Sequence, residues 1–126
     1  MFKYKTEVSK LPEVKVFTPD PYTDYRGTMW THWENSMDTP QSNISKFTRS
    51  RKNVLRGLHM QRKNKQGKYL SVVKGKILDV VVDCRKNSST FGKNYKIILS
   101  QKNSKSIYIP PGFLHGFLGL EFENIV

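Results

Sequence analysis

Apolar and polar side chains alternate with a period of two along several short segments, which is the pattern of half-buried β-strands. The segment EVKVFTP (residues 13–19) alternates and ends at a proline. The segment TMWTHWE (residues 28–34) places Met29, Thr31 and Trp33 on one face of a strand. Glycine, proline, asparagine and serine separate these segments, and helical periodicity is scarce. The pattern therefore predicts an all-β fold.

The clearest alternation lies in the second half of the chain. The segment KYLSVVKGKILDVVVDCR (residues 68–85) predicts two strands around a turn at residues 74–76. YKIILS predicts another strand, and IYIPPGFLHGFLGL predicts a strand that is interrupted by the turn residues 110–112. Seven or eight short strands at this spacing are typical of a β-sandwich or jelly roll. The length of 126 residues, without an internal repeat, fits a single domain over residues 1–126.

The charge balance is strongly basic, because 22 Lys and Arg residues against 10 Asp and Glu residues give a net charge of +12. Such a charge favours an anionic partner, for example a phosphate-bearing ligand, a nucleic acid or a membrane surface. The basic runs SKFTRSRKN and QRKNKQGK could contact nucleic acid. However, the aromatic residues that would stack on bases lie mostly in strand patterns that predict burial. We therefore expect solvated basic loops and no nucleic-acid partner.

Cysteine content and hydropathy bear on the compartment. Cys84 is the only cysteine, so no intramolecular disulfide can form, and its apolar setting predicts a buried structural thiol. No apolar run approaches the roughly 20 residues that span a bilayer, and MFKYKTEVSK has no apolar leader segment. We expect a cytoplasmic protein without a membrane partner. The chain ends on an apolar strand pattern, GFLGLEFENIV, which predicts further chain after Val126.

Four basic side chains lie in motifs that could carry chemistry. VLRGLHMQ contains Arg56 and His59, QGK contains Lys68 after a glycine, and PPGFLHGF contains His115 after a rigid turn. These four side chains could meet inside a barrel if their strands are neighbours. The alternative is an ordinary histidine at a strand end, and spacing alone does not decide between the two.

A metal site is poorly supplied with ligands in this sequence. Metal-binding jelly rolls of the cupin type use His-x-His with a nearby glutamate and a later histidine, whereas His59 is followed by Met60 and Gln61. There is no carboxylate between Arg56 and Lys76. Three or four ligands are therefore hard to assemble, and we expect no bound metal.

Taken together, VLRGLHMQ, QGK, VVKGKILDVVVDCRKNSSTFGK and IPPGFLHGFL resemble the nucleotide-diphosphate 4-keto-sugar 3,5-epimerases, typified by dTDP-4-dehydrorhamnose 3,5-epimerase. The upstream DYRG also fits, and the resemblance covers residues 14–126. Several motifs in the same order make it specific. It implies a cupin-like jelly roll (a double-stranded β-helix) that works without a metal or other cofactor and usually as a homodimer.

The resemblance also implies a reaction. Protons alpha to the C4 ketone of a nucleotide-diphosphate 4-keto-6-deoxyhexose or 4-keto-heptose are removed and returned on the opposite face, which inverts C3, C5 or both. His59 would be the base, because a neutral imidazole is poised near physiological pH. Lys68 would stabilise the enolate oxygen, and Arg56 and His115 would contact the substrate. The product would serve the synthesis of bacterial surface polysaccharides.

Three further positions match the family. Arg26 of DYRG would contact the substrate, and its bidentate guanidinium suits the nucleotide phosphates. Lys46 ends the segment Ile44-Ser45-Lys46, which aligns with the family's Gln-Asp-Asn substrate-contact segment. Asp83 of VVVDCR would orient active-site groups, or else it is an ordinary carboxylate at a strand end.

The chain also departs from the family pattern. Met60 stands where the family usually has a tyrosine after RGLH, and Thr31 stands where it has a glutamate. RGTMWT together with KFTRSRKNVLRG is closer to a branch that acts on GDP-linked 4-keto-heptoses in bacterial capsule synthesis. The family's acid is a tyrosine beyond the HGF strand, and it has no counterpart before Val126. The prediction is a C-terminally truncated epimerase; the alternative is an impaired homologue that only binds a sugar nucleotide.

Overall fold

The structure is a computed structural model and describes residues 4–126. This part of the chain contains twelve β-strands. Residues 1–3, at the start of the predicted domain, lie outside it. The strands are β1 (Tyr4–Val8), β2 (Lys15–Pro19), β3 (Tyr22–Asp24), β4 (Gly27–Met29), β5 (Arg49–Arg51), β6 (Leu55–His59), β7 (Lys68–Ser71), β8 (Lys76–Asp83), β9 (Asn94–Ser100), β10 (Ser106–Ile109), β11 (Phe113–Gly119) and β12 (Glu123–Ile125). No helix occurs within residues 4–126, and the predicted all-β class is confirmed.

Two four-stranded antiparallel sheets form the body of the fold. The first has the strand order β1-β2-β10-β7, and the second has the order β6-β11-β8-β9. Two smaller pairs, β5 with β12 and β3 with β4, complete the structure. Because the chain crosses between the sheets, strands that are distant in sequence become neighbours, as β6 and β11 do. This crossing pattern brings the VLRGLHMQ and PPGFLHGF motifs together.

The core lies between the two four-stranded sheets. On β8 every second side chain points inward, so that Ile77, Asp79, Val81 and Asp83 are all buried. The hydrophobic cluster of the core is built from both sheets. Its members are Leu11, Val14, Val16, Val72, Ile77, Val81, Leu99, Ile107, Ile109, Phe113 and Phe117. The two inward aspartates are therefore exceptions that need polar partners.

The strands predicted from alternation occur in the structure, with one exception. EVKVFTP contains β2, the segment from residue 68 contains β7 and β8, YKIILS lies within β9, and the interrupted segment contains β10 and β11. The exception is TMWTHWE, because β4 ends at Met29. From there the chain packs on the face of β7 that points away from the core. His32 lies against Tyr69 with ring centroids 5.1 Å apart, and Met37 is buried. The alternation thus reflects loop packing and not strand pairing.

Two other sequence features have a place in this fold. Cys84 follows β8 directly and is a free, partly buried thiol, less deeply buried than its apolar setting predicted. Within residues 4–126, no helix has the length and apolarity needed to cross a membrane.

Candidate active site

His59 and His115 are cross-strand neighbours in the second sheet. Their strands, β6 and β11, pair antiparallel, and His59 stands directly opposite His115. His115 is buried with 7% of its surface exposed, whereas His59 is exposed. The two histidine motifs therefore lie on neighbouring strands, which was the condition that the sequence left open. The result is one imidazole open to solvent beside one held in the interior.

Two glycines allow β6 to lie close against β11 at this point. A Cβ atom on Gly57 would stand 2.5 Å from the backbone oxygen of His115 and 2.8 Å from the Cα atom of Gly116. A Cβ atom on Gly116 would likewise stand 2.5 Å from the backbone oxygen of Arg56. Gly57 also has a positive φ of 89°, which favours glycine. The glycine of the RGLH motif thus sets the position of His59 relative to His115.

The buried histidine has a carboxylate partner. His115 Nε2 lies 2.6 Å from Asp79 Oδ1, and the Asp79 side chain is fully buried. Burial raises the pKa of Asp79, while the hydrogen bond and charge of His115 and the charge of Lys68 act in the opposite direction. The other oxygen, Asp79 Oδ2, is buried and has no hydrogen-bond partner in the described part of the chain. Asp79 therefore fixes the ring of His115 from the core side.

Asp79 was missed by the sequence reasoning, which singled out Asp83 four residues later. The signal was present in the phase of the alternation, because KILDVVVD places Asp79 on the same face as Ile77 and Val81. A carboxylate at an inward strand position must have a partner in the core, since an isolated buried charge is costly. The identity of that partner, His115, depends on the pairing of β8 with β11, which the alternation does not specify.

Lys68 faces the same interior from the first sheet. It begins β7 and lines a narrow cleft together with Met60, Gln61 and Phe113. Burial keeps the pKa of Asp79 raised, and the positive charge of Lys68 opposes that rise. The structure thus brings Lys68, His59 and His115 to one region.

The three other predicted substrate-binding cations lie outside this group. Arg56 is exposed on β6, and its Nε donates a hydrogen bond to Ser50 Oγ at 2.8 Å. Arg26 lies at the turn of the β3–β4 hairpin and is bound to Asp24 Oδ2 at 2.6 Å. Lys46 is exposed in the segment between β4 and β5. None of these three side chains forms a hydrogen bond with His59 or His115.

Asp83 is bound within a turn at the end of β8. Its Oδ1 and Oδ2 accept hydrogen bonds from Arg85, and Oδ2 also accepts from Ser88 Oγ at 2.6 Å and Thr90 Oγ1 at 2.5 Å. The hydrogen bonds from Arg85, Ser88 and Thr90 hold the pKa of Asp83 well below its usual range. Arg85 in turn binds Glu13. These contacts match the alternative interpretation of Asp83, an ordinary carboxylate at a strand end.

The side chains of the site define its chemical repertoire. They are an exposed imidazole, a buried imidazole–carboxylate pair and an ammonium group on the facing sheet. An exposed neutral imidazole can accept a proton from a carbon acid, and a nearby ammonium group can stabilise the oxyanion that forms. Within residues 4–126, no three His, Cys, Asp or Glu side chains are grouped so that they could hold a metal ion.

Comparison with known proteins places this arrangement in a family. A sequence model of the dTDP-4-dehydrorhamnose 3,5-epimerase family matches residues 8–126. The epimerase of Methanothermobacter thermautotrophicus is 40% identical, over 100% of this chain and 71% of that protein. The epimerase of Salmonella typhimurium is 39% identical, over 87% of this chain and 64% of that protein. The chain thus spans about two thirds of the length of these relatives.

Solved structures agree with the sequence matches. One of them is the dTDP-6-deoxy-D-glucose-3,5-epimerase of Legionella pneumophila in complex with dTDP-4-keto-L-rhamnose. It superposes with a TM-score of 0.92 at 35% sequence identity, and the match covers 98% of this chain and 69% of that chain. The epimerase of Sulfolobus tokodaii gives a TM-score of 0.85 at 38% identity and covers 98% and 72%. The predicted cupin-like jelly roll is therefore confirmed. With the matching motifs and the paired histidines, these comparisons show that the chain belongs to the dTDP-4-dehydrorhamnose 3,5-epimerase family.

Proposed function

We propose that this chain acts on a nucleotide-diphosphate 4-keto sugar and removes protons from the carbons next to the ketone, as a 3,5-epimerase does. The observation that carries the proposal is the exposed His59 beside the buried His115–Asp79 pair, in a fold shared with dTDP-sugar epimerases. The names of the relatives favour a thymidine diphosphate substrate, and the GDP-heptose branch is the alternative. The product would be a precursor of bacterial surface polysaccharide, made in the cytoplasm.

His59 is the proposed base. Its exposed ring can reach a bound sugar, and a neutral imidazole can accept a proton from a carbon acid. A proton alpha to a ketone becomes acidic enough to remove only when the enolate oxygen is stabilised. Lys68, which lines the cleft next to Met60 and Phe113, supplies that stabilisation. The base and the cation thus act on the two ends of the same enolate.

His115 is proposed to hold the sugar beside the base. The Asp79 carboxylate fixes the Nε2 edge of the ring, so the Nδ1 edge is left to bind the sugar. Because His115 is directly opposite His59, a sugar bound to one lies within reach of the other. A fixed orientation of this kind lowers the entropic cost of reaching the transition state.

Inversion also needs a proton donor on the opposite face of the sugar. The family tyrosine implied for that role has no counterpart among residues 1–126, so this chain itself supplies the base side of the reaction. Exchange of the alpha protons with solvent is the step that we assign to the residues of this chain. Full inversion is assigned to a chain that also carries the tyrosine.

The test is deuterium uptake from heavy water into dTDP-4-keto-6-deoxyglucose, followed by mass spectrometry. His59→Asn should lower the exchange rate about 100-fold or more, the range of general base catalysis. The chain has three histidines, and His32 offers a matched control because it packs on Tyr69 away from the core. His32→Asn should exchange at the wild-type rate. Undiminished exchange in His59→Asn would refute the base assignment.

Binding without exchange would favour the alternative, a homologue that only binds a sugar nucleotide. Under that alternative the wild-type chain binds the sugar nucleotide, and Arg56→Ala or Arg26→Ala weakens binding. No deuterium then enters the sugar in any variant. Calorimetry and mass spectrometry on the same samples separate the two functions. A parallel titration with GDP decides between the two nucleotides.

A homodimer is the proposed assembly. The cross-strand pair Tyr22 and Met29 leaves an apolar face of the β3–β4 hairpin in solvent, with 61% and 59% of the two residues exposed. Exposed apolar patches of this kind often mark interfaces. Light scattering should give twice the monomer mass for the wild type and a lower mass for Met29→Lys. Phe91→Lys, at another exposed apolar residue, is the matched control.

A further inference from the structure

A second cavity lies at the opposite end of β8 from the histidine pair. Its volume is about 740 Å³, which is within the range of small-molecule sites, roughly 300–1,000 Å³. Lys76, the first residue of β8, lines this cavity, whereas His115 pairs with Val81 further along the strand. A strand rises about 3.3 Å per residue, so residues 76 and 81 are roughly 16 Å apart. The cavity is therefore separate from the candidate active site.

The β3–β4 hairpin forms one wall of the cavity. It pairs with neither four-stranded sheet and so stands apart from the body of the fold. Thr23 and Thr28 face each other across the hairpin, with their Oγ1 atoms 3.0 Å apart, and both line the cavity. The neighbouring pair, Tyr22 and Met29, points to the opposite face. Trp30, directly after β4, continues the wall on the threonine side.

The other wall is a turn that hydrogen bonds hold in one shape. Ser100 and Asn103 bind each other twice, through Ser100 N–H to Asn103 Oδ1 at 3.1 Å and Asn103 N–H to Ser100 Oγ at 3.0 Å. The N–H group of Gln101 donates to the backbone oxygen of Gly75 at 3.0 Å. These bonds fix the backbone that carries Gln101 and Lys102 toward the cavity. A preformed wall lowers the entropic cost of binding.

The lining combines an aromatic ring, cations and neutral hydrogen-bonding groups. The half-buried indole of Trp30 offers a flat surface on which a ring can stack. Lys76 lies 3.4 Å from Glu121, whereas Lys102 has no carboxylate within ion-pair distance among residues 4–126. The side-chain amide of Gln101 can both donate and accept hydrogen bonds. A ligand with a ring, hydroxyl groups and one anionic group matches this set.

We propose that this cavity binds a phosphorylated ligand that carries a ring, either a nucleotide or a sugar phosphate. The ring stacks on Trp30, the phosphate binds Lys102, and the hydroxyl groups of the ligand bind Thr23, Thr28 and Gln101. The net charge of +12 raises the local concentration of such anions. This inference stands independently of the proposed function, because it concerns binding at a second place and requires no catalysis.

The test uses Trp30 as its own reporter. The chain has only two tryptophans, so the variant Trp33→Phe leaves Trp30 as the single indole. This protein is titrated with thymidine monophosphate, glucose 1-phosphate and inorganic phosphate while its fluorescence is recorded. We expect the fluorescence to change in a saturable way with thymidine monophosphate or glucose 1-phosphate, at a lower concentration than with inorganic phosphate. The compound that binds more tightly identifies the ligand class. The absence of a saturable change with all three would overturn the proposal.

Variants then locate the binding. In the same background, Lys102→Gln should weaken binding about tenfold, the value of one charge-assisted hydrogen bond. Lys96→Gln removes the same charge from an exposed position on β9 and should leave the affinity unchanged. Arg56→Ala, on β6 and remote from this cavity, should also leave it unchanged. Equal weakening by the two lysine variants, or loss only in Arg56→Ala, would overturn the second site. Failure of deuterium exchange would leave this binding result untouched.

Discussion

Asp79 meets His115 through one oxygen only. His115 Nε2 lies 2.6 Å from Asp79 Oδ1, and Oδ2 is buried without a hydrogen-bond partner in the described part of the chain. A buried polar atom without a partner costs about 1–3 kcal/mol, which an apolar residue at this inward position of β8 would avoid. The pair therefore lowers stability while it fixes the orientation of His115, which suits a positioning role in the proposed reaction.

Asp79→Asn should separate orientation from folding. The amide oxygen can still accept a hydrogen bond from His115, but the negative charge is lost, so the ring is held less firmly. We expect deuterium exchange to slow by about tenfold or more, with the affinity for the sugar nucleotide nearly unchanged. The free energy of unfolding should change by only about 1 kcal/mol, because removing a buried charge offsets the weaker bond. Exchange kinetics over a range of pH and urea denaturation measure the two effects, and an unchanged exchange rate would contradict the positioning role.

Asp83→Asn should have the opposite profile, with a large effect on stability and a small one on exchange. Hydrogen bonds from Arg85, Ser88 and Thr90 lower the pKa of Asp83 below its ordinary value of 3.8. Loss of this buried, multiply bonded carboxylate should lower the free energy of unfolding at pH 7 by roughly 2–4 kcal/mol. Below its melting temperature the variant should exchange deuterium at nearly the wild-type rate.

The same variant should show a distinctive pH dependence. Because the folded pKa of Asp83 is lower than the unfolded one, its contribution is complete above pH 3.8 and is lost as the pH falls below that value. The pH dependence that Asp79 contributes to stability has the opposite sign. Because the folded pKa of Asp79 is raised, its contribution favours the folded state at low pH and is lost as the pH rises above 3.8. The difference in the free energy of unfolding between wild type and Asp83→Asn should therefore shrink as the pH falls from about 5 to about 2. This pH range brackets the unfolded pKa of Asp83, 3.8. A difference that stays constant in urea titrations across this range would contradict the assignment.

Local patterns predicted the strands well because alternation along a strand directly reflects burial on one face. β8 follows this rule over its whole length, from Lys76 to Asp83. The pairing of β6 with β11, which places His59 opposite His115, is a long-range property that no local pattern specifies. It could be anticipated only from the resemblance to known epimerases.

The features that the sequence did not predict correctly also have physical causes. TMWTHWE alternates although β4 ends at Met29, and His32 beyond that point packs on Tyr69 without a strand partner. Asp79 was overlooked because an acidic residue inside an apolar run was not read for its inward phase. Asp83 has that same phase, but its partners come from the following turn, and sequence alone does not distinguish the two aspartates.

Gly57→Ala should disturb the site through the backbone. The added methyl group would overlap the backbone oxygen of His115 at 2.5 Å, so β6 must move away from β11 and carry His59 with it. We expect exchange to slow by more than tenfold, since small displacements of catalytic groups are costly. Gly92→Ala is the matched control, because Gly92 also has a positive φ, 78°, but nothing lies within 4 Å of its added Cβ atom. That control should lose about 1–3 kcal/mol of stability from strain alone and keep its exchange rate. Equal exchange in the two variants would show that the close approach of the strands is not needed.

Asn124→Ala should weaken the junction between the small β5–β12 pair and the second sheet. The Asn124 side chain is fully buried and forms four hydrogen bonds: Oδ1 accepts from Lys76 N–H at 3.0 Å and Glu121 N–H at 3.2 Å, and Nδ2 donates to the backbone oxygens of Ser50 at 3.2 Å and Glu121 at 2.9 Å. Truncation leaves these backbone groups without partners, so the free energy of unfolding should fall by roughly 3–5 kcal/mol. Urea denaturation measures the loss, with the exposed Asn87→Ala as control. Hydrogen exchange should show Lys76 and Glu121 amides losing protection first, because their acceptor is the atom removed. A loss of less than 1 kcal/mol would mean that water replaces the amide at little cost.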